Sequence, residues 1–356
     1  MERCFSKLKQ FPAVATRYGK RERIYQAAID VVSNRIWLRD RVTPIAALQP
    51  ESADDRAESP SPHAGGRIMC MRMRRIGTET VGAVGFGAMQ LDDPAANAER
   101  AEATLRAALD AGVTLIDTAI AYGPSSFGAN TMGRNEQLVT ALLDRLGARG
   151  EVLVATKGGH VRTARGGWAV DSSASHLCAA VEASLANLKV EQIDLYQHHR
   201  PDPNVPYGQV MMTLKKMHDS GKVRMVGISN VNATQIRQAR DILGSALVSV
   251  QNQYSPRFRS SEPELRLCDE LGLAFLPWSP LGGAAQAGHL GDRHTKFEEV
   301  AAELGLSPQR VCLAWMLAKS PRVIPIPGAS RPESITDSAQ AADLDLSAEH
   351  LARLDA

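Results

Sequence analysis

From Arg74 to its C-terminus the chain repeats a single pattern, and that pattern limits what it can fold into. A short β-prone run is followed each time by a longer segment whose apolar residues recur at helical spacing. "VGAVGFGAMQ" precedes "AERAEATLRAALDAG", "TLIDTA" precedes "NEQLVTALLDRLG" after a loop, and "EVLVATK" precedes "ASHLCAAVEASLANLK". "IDLYQHH" leads to "YGQVMMTLKKMHDSG", "KVRMVGIS" to "NATQIRQARDIL", and "ALVSVQNQY" to "SEPELRLCDELG". "LAFLPWSPL" is followed by two helical stretches, "HTKFEEVAAELG" and "SPQRVCLAWMLAKS", and "RVIPIPG" by "PESITDSAQAA". Gly112, Gly221, Gly272 and Gly305 mark helix stops. Strands that alternate with helices form a parallel sheet, and fully apolar strands are buried on both faces. Eight such units in about 280 residues suit a closed α/β structure, the (β/α)8 TIM barrel of typically ~250 residues. An open doubly wound sheet is the alternative.

The residues before this pattern differ in kind. Residues 1–48 are basic and poor in glycine, and "RERIYQAAIDVVSNRIWLRD" aligns Ile24, Ala28, Val31 or Val32, and Ile36 on one helical stripe. Residues 49–66, "QPESADDRAESPSPHAGG", have no hydrophobic period and read as a disordered linker. Met69, Met71 and Met73 stand just ahead of the ordered pattern. Residues 1–68 are therefore expected to be a disordered extension or the product of a mis-called start, and residues 69–356 the barrel. The extension lacks the continuous apolar core of a secretory signal, and no run approaches the ~20 apolar residues of a membrane span.

Composition narrows the partners. With 44% hydrophobic and 22% charged residues, the chain can bury a core. A net charge of +2 gives no global field to recruit nucleic acid or an anionic membrane. Cys4, Cys70, Cys178, Cys268 and Cys312 are scattered, with no zinc spacing and no disulfide framework, which points to a reducing, cytoplasmic setting. "GAVGFGA" (82–88) has Gly85 and Gly87 but no third glycine at dinucleotide-fingerprint spacing and no suitably placed acid after it.

In a (β/α)8 barrel, chemistry sits at the C-terminal strand ends. There the sequence places Asp117, with Tyr122 five residues on, then Lys157, His199, Ser229 with Asn230, Gln251 with Asn252, and Trp278 with Ser279. Each has an ordinary explanation as a solvated or packing residue, but an acid, a phenol, a base and an imidazole from successive units converge on one mouth. The paired histidines of "IDLYQHHRPD" cannot act together, because successive strand residues point to opposite faces. One of them faces the mouth, and the other faces the wall as a structural polar residue.

With these residues in place, the stretch 74–356 resembles the aldo-keto reductases, most of all bacterial members that reduce small aldehydes and ketones. The resemblance rests on "LIDTAIAYG", "VATK", "DLYQHHRPD", "VGISN", "VQNQYSP", "PWSPLGG" and "IPGASRPE", in the family's order and spacing. It implies a catalytic tetrad of Asp117, Tyr122, Lys157 and His199, and NADPH/NADP+ as cofactor. Ser229, Asn230 and Gln251 would surround the carboxamide, and Trp278 would stack on the nicotinamide. Ser279, Leu281 and Gly282 would lie along the pyrophosphate, and Gly328, Ser330, Arg331, Ser334 and Asp337 around the adenosine phosphate. The family's usual Lys-Ser is replaced by Gly328-Ala329, and Ser334 and Asp337 stand where many members have arginine and glutamate. No metal is implied.

The implied chemistry is reduction of a small-molecule carbonyl. Tyrosine, with a free pKa near ~10, is protonated at neutral pH and can donate. Lys157 would stabilise the phenolate left behind, Asp117 would hold Lys157, and His199 would orient the carbonyl oxygen. His198 is then the wall residue. Phe127, Trp168, Tyr254 and Phe258 are candidates for an apolar substrate wall or for packing. Two other classes remain open on residues alone: a metal-dependent barrel hydrolase, though no His-x-His lies on one strand, and a cofactor-binding redox sensor without turnover. The oligomeric state and the substrate are not legible.

Overall fold

The chain enters through an antiparallel hairpin, β1 (Met73–Ile76) and β2 (Glu79–Gly82). Then come β3 (Phe86–Gly87), β4 (Leu115–Asp117) and β5 (Leu153–Gly158), and a second antiparallel hairpin, β6 (His160–Arg162) and β7 (Trp168–Val170). The strands β8 (Ile193–His198), β9 (Val223–Ser229), β10 (Leu247–Gln251) and β11 (Ala274–Phe275) follow. This computed structural model describes residues 71–91 and 94–356, so the expected extension 1–68 lies outside the described residues. All the described residues belong to the unit Arg67–Ala356.

Seven strands form one parallel sheet in the order β11-β10-β9-β8-β5-β4-β3. The sheet closes through residues 322–328, the expected eighth strand. On one side Phe275 N donates to Arg322 O and Ile324 N to Phe275 O, both at 2.9 Å. On the other, Gly85 N and Gly87 N donate to Pro325 O and Pro327 O, also at 2.9 Å. Residues in a strand alternate in the neighbour they bond, so both prolines face β3, and neither has an N–H to return. The closure is thus a half-ladder, and the eighth strand is irregular for a reason written in "IPIPG".

Helices α1 (Pro94–Asp110), α2 (Arg134–Leu146), α3 (Ala174–Leu188), α4 (Tyr207–Asp219), α5 (Ala233–Leu243) and α6 (Glu262–Leu271) alternate with the parallel strands. After β11 come α7 (Ala284–Ala287), α8 (Leu290–Arg293), α9 (Thr295–Leu304), α10 (Pro308–Lys319), α11 (Pro332–Ala339) and α12 (Ala348–Asp355). Capping is local and readable: Asn232 and Gln235 form a reciprocal capping box on α5, and Ser173, Ser307 and Ser347 cap α3, α10 and α12. Gly272 and Gly305, in left-handed conformation, end α6 and α9 as the sequence predicts. No described helix is long and apolar enough to cross a membrane.

Two apolar layers hold the barrel. The outer one lies between sheet and helices and includes Phe86, Tyr196, Val226, Val250, Phe275 and Trp315. The inner one fills the barrel with Leu115, Leu153, Ala155, Leu195, Met225, Val248, Ala274, Leu276, Ile324 and Ile326. Ile76 and Val81 of the β1–β2 hairpin join this inner layer, so the hairpin plugs the N-terminal end of the barrel. That corrects the sequence reading in one place. "VGAVGFGAMQ" is not one strand: its first two residues belong to the plug, and only Phe86–Gly87 enters the sheet. The β6–β7 hairpin and α12 are also additions to the eight units.

Candidate active site at the barrel mouth

On three neighbouring strands an inner-layer residue is followed two positions later, on the same face, by a polar residue. Leu115 is followed by Asp117, Ala155 by Lys157 and Leu195 by Gln197, all buried. Lys157, fully buried, donates from Nζ to Asp117 Oδ2 at 2.5 Å, to Thr118 O at 2.9 Å and to Tyr122 Oη at 3.2 Å. The second oxygen of Asp117 accepts from Gln197 Nε2 at 2.9 Å and from Gln251 Nε2 at 2.8 Å. Asp117, Tyr122 and Lys157 are therefore one hydrogen-bonded group, and Gln251 supports it from below.

His199 joins this group on its open side. Its ring centroid is 5.7 Å from that of Tyr122, edge to face, and the side chain is 8% exposed. His198 points the other way: its Nε2 meets Ser172 Oγ at 2.8 Å, and its ring lies near Tyr207 in the outer layer. The two histidines occupy opposite faces of β8, as the strand period requires.

The charges at the mouth follow from burial and from each other. Burial opposes the charge on Lys157, but the Asp117 carboxylate and the Tyr122 oxygen outweigh it, and the ammonium lies above the ordinary lysine range. Burial pushes the Tyr122 phenol up, with Lys157 opposing and Asp117 reinforcing. His199 is held well below the usual imidazole value, first by burial and then by Lys157, His160, Arg200 and His198. Near neutral pH the mouth thus presents an ammonium, a protonated phenol and a neutral imidazole.

The other predicted residues line the rim. Ser229 Oγ donates to Gln251 O at 2.6 Å, and Asn230 Nδ2 donates to His199 O at 2.9 Å and to Ser229 Oγ at 3.0 Å. Asn230 and Ser279 have φ of 59° and 49°, a region that L side chains rarely adopt and that recurs at functional sites. Trp278 packs on the inner layer with its Nε1 buried and unpartnered. Leu281 and Gly282 line a groove with Ser255, Pro256, Arg257, Gln286, Leu290, Arg293 and His294. Arg257 and Arg293 bring positive charge to that groove, and burial first, then Arg259, Arg257 and Arg293, lowers the pKa of His294.

The segment after the eighth strand is mixed. Gly328 pairs with Gly87, and Ser330 is exposed. Arg331 stands at the N-cap position of α11 without a side-chain capping bond and is exposed, with Ser334 Oγ 3.5 Å from its Nη2. Asp337 is turned onto α10, where it accepts from Arg310 Nη2 at 2.6 Å and from Ser307 Oγ at 2.5 Å. Of the four aromatic candidates for a substrate wall, Tyr254 is a correction. It is fully buried, its ring stacked on Trp315 at 5.6 Å and its hydroxyl donating to Glu262. Phe127, Trp168 and Phe258 remain exposed.

Three mouth residues escape a reading of strand ends. Gln197 was within reach, because it lies two positions before His199 on the same strand face. His160 and Arg162 were not, because they sit on the inserted hairpin β6–β7. The His160 ring is 4.1 Å from that of His199 and 5.3 Å from that of Trp168, and Arg162 lies over Trp168. Burial, then Arg200, Lys157 and Arg162, push His160 down to about 4. A wide depression lined by residues 201–207 and Gln235 lies outside the mouth and holds none of the predicted site residues. Among the described residues, no cluster of three or more His, Cys, Asp or Glu side chains could hold a metal ion.

The chain is similar to known proteins along nearly all of its described length. The family model of the Aldo/keto reductase family matches residues 83–356. An uncharacterized oxidoreductase of Schizosaccharomyces pombe is 34% identical over 287 residues, which cover 79% of this chain and 88% of that protein. Pyridoxine 4-dehydrogenase of Escherichia coli is 31% identical over 293 residues, covering 79% of this chain and 96% of the enzyme. Among solved structures, an aldo/keto reductase from Klebsiella pneumoniae in complex with NADP and acetate superposes with a TM-score of 0.67 at 27% identity. It covers 80% of this chain and 94% of its own. Fold, mouth and matches agree, and the chain belongs to the aldo/keto reductase family.

Proposed function

We propose that the protein reduces an aldehyde or ketone to an alcohol with NADPH, and that Tyr122 gives the proton. The observation that carries this reading is the position of Lys157, fully buried between Asp117 and the Tyr122 oxygen. A barrel that only bound a nucleotide would have no use for a desolvated ammonium held on a phenol.

The cofactor is NADP(H), as in the Klebsiella pneumoniae structures with NADP and NADPH. The residues present fit such a molecule. Trp278 offers a flat ring with an unpartnered N–H, and Gln286 Oε1 is likewise buried without a partner. Arg257 and Arg293 line the adjoining groove, and exposed Arg331 stands at the start of α11, all suited to phosphates. Ser229 and Asn230 would face the carboxamide, and Ser279, Leu281 and Gly282 the pyrophosphate. Gly328, Ser330, Ser334 and Asp337 would lie toward the adenosine end, Asp337 held there by Arg310 and Ser307. Bound NADPH supplies the hydride to the carbonyl carbon.

The chain's own residues do the rest. His199, neutral at working pH, donates to the carbonyl oxygen and fixes its place beside Tyr122. Tyr122 passes its proton to that oxygen as the negative charge develops there, and the Lys157 ammonium stabilises the phenolate. Asp117, saturated by Lys157, Gln197 and Gln251, keeps the ammonium in position. The phenolate recovers its proton from solvent. Pyridoxal-type aldehydes belong in the first substrate panel, together with simple aromatic aldehydes and ketones.

Tyr122→Phe tests the assignment. Loss of general acid catalysis should lower kcat on the order of 10²- to 10⁴-fold, while NADPH still quenches or shifts its fluorescence on binding at wild-type concentrations. A variant that keeps wild-type kcat removes Tyr122 from the role.

A further inference from the structure

The geometry points to Arg162 as the positioning residue of the proton donor, a role that rests on the reading of Tyr122 given above. Arg162 comes from β6, not from the segment that carries Tyr122. Its guanidinium nevertheless takes hold of the backbone on both sides of that tyrosine. Nε donates to Ala121 O at 3.1 Å, and Nη2 donates to Gly123 O at 3.2 Å. Nη1 donates to Gly166 O at 2.8 Å, in the turn of its own hairpin. One rigid fork thus ties the residues before and after Tyr122 to the β6–β7 hairpin.

Backbone bonds fix the first part of the segment so held, from Ile120 N to Lys157 O at 3.2 Å, Tyr122 N to Ala119 O at 3.0 Å and Gly133 N to Ile120 O at 2.6 Å, but among the described residues only Arg162 bonds the carbonyls of Ala121 and Gly123. Residues 120–124 leave β4 and form no strand or helix of their own. Tyr122 is half-buried, and among the described residues its hydroxyl has one hydrogen-bond partner, Lys157 Nζ. Gly123 has φ +139°, and a Cβ there would meet Thr131 Oγ1 at 2.4 Å, so the chain turns sharply just after the tyrosine. The Arg162 bonds add a tie on both sides of the tyrosine, at a turn where a small rotation would change the distance from the phenol to Lys157.

The tie is itself anchored. Thr163 N donates to Gly167 O at 2.9 Å, and Gly166 N donates to Thr163 O at 2.9 Å, which makes the hairpin turn stiff. The guanidinium carbon lies 3.5 Å from the centroid of Trp168. Trp168 packs on His160, His160 on His199, and His199 edge-on against Tyr122. The contacts form a closed ring around the mouth: Tyr122 segment, Arg162, Trp168, His160, His199 and back to Tyr122. The two groups that must meet one carbonyl oxygen, the phenol and the His199 imidazole, are spaced by this ring. Arg162 makes no hydrogen bond to a tetrad side chain; its three bonds go to backbone carbonyls, and it acts through the backbone of Tyr122. Lysine cannot replace it, because three acceptors in three directions need a planar fork.

Arg162→Ala and Arg162→Lys would be compared with wild type in NADPH-dependent reduction of a nitrobenzaldehyde. Four readouts are taken: kcat, aldehyde KM, NADPH affinity by fluorescence titration, and the solvent deuterium isotope effect on kcat. A donor misplaced by an ångström costs on the order of a hundredfold. The expected result is a fall of that order in kcat for Arg162→Ala and a smaller fall for Arg162→Lys, with NADPH affinity within about twofold of wild type. The isotope effect should rise in both, because proton transfer becomes the slower step. If Arg162→Ala does not fold, Arg162→Lys, which keeps the charge and the stem on Trp168, decides alone. Wild-type kcat in the variants would overturn the proposal. So would a kcat loss matched by an equal loss of NADPH affinity and thermal midpoint with an unchanged isotope effect, which would make Arg162 a fold residue only. Absence of aldehyde reduction in the wild-type protein would instead sink the reductase reading itself.

Discussion

His198 should make the protein sensitive to acid, and the size of that effect follows from its surroundings. Its ring is fully buried on the outer face of β8, bonded to Ser172 Oγ, and burial pushes its pKa down to about 4, against the modest opposing pull of Asp202. In the unfolded chain it titrates near 6.5. Its contribution to stability is therefore fully present above pH 6.5 and is lost as pH falls through about 4, because only the unfolded chain binds the proton in between. Each pH unit in that window is worth about 1.36 kcal/mol, so His198 alone removes about 2.5 kcal/mol between pH 7 and pH 4.5. His198→Gln abolishes this titration while leaving an amide to meet Ser172. At pH 7 the variant should be less stable by about 1 kcal/mol, the scale of one altered buried hydrogen bond. Urea unfolding at both pH values measures the difference. The gap between wild type and variant should close and reverse, moving by about 2.5 kcal/mol in favour of the variant at pH 4.5. Turnover at pH 7 should be retained, since His198 lies on the face away from the mouth. A gap of the same size at both pH values would show that His198 does not behave as a buried neutral imidazole.

The Lys157–Asp117 pair should behave as a buried ion pair: Lys157→Met alone destabilises by about 3–5 kcal/mol, whereas adding Asp117→Leu restores stability without restoring turnover. Thermal melts and kcat of the single and double variants check this, and a double variant as unstable as the single would contradict it. Arg331→Ala should raise KM for NADPH by on the order of ten- to a hundredfold, the worth of a charge-assisted phosphate contact, and leave NADH nearly unchanged. Equal losses for both cofactors would remove Arg331 from the 2′-phosphate. The pH profile of turnover should stay level from neutral pH to the ordinary tyrosine value of 10.0, because burial raises Tyr122 above it; a decline centred near ~8 would point to a different donor.

What the sequence discloses here depends on how local the cause is. The strand and helix runs were legible because each carries its own period, and the barrel followed from their alternation. The mouth residues on strands were legible because the strand period fixes their face: Asp117, Lys157 and His199 need only the count of two. Even the irregular eighth strand is spelled out by Pro325 and Pro327. The plug hairpin was missed because Glu79–Gly82 and Phe86–Gly87 form a nearly continuous β-prone run, and only three-dimensional closure separates them. Tyr254 was ambiguous for a similar reason: its stacking partner, Trp315, lies 61 residues away on α10. The role of the β6–β7 hairpin depends entirely on contacts across the mouth. Nothing in "HVRTARGGWAV" announces that Arg162, rather than Arg165, reaches the carbonyls around Tyr122.

The depth of the polar layer explains why so few residues can do so much. Leu115, Ala155 and Leu195 close the barrel interior from below, and their same-face successors must then sit one layer higher, whatever they are. Placed there, a lysine cannot reach water, and its three donors have to be satisfied by Asp117, Thr118 O and Tyr122. The carboxylate in turn has its lone pairs taken by Lys157, Gln197 and Gln251, so it anchors the ammonium without competing for the phenol. Because this site excludes solvent on its lower side, each of these interactions is stronger than it would be at a surface. The same desolvation makes the assembly costly, so the apolar plug beneath it and the ring of contacts above it are both required. The inner apolar layer sets the height of the charges, and the β6–β7 hairpin sets the lateral position of the phenol. The exposed rim residues Phe127 and Phe258 stand outside both constraints, so substitution there would leave the charges and the phenol in place.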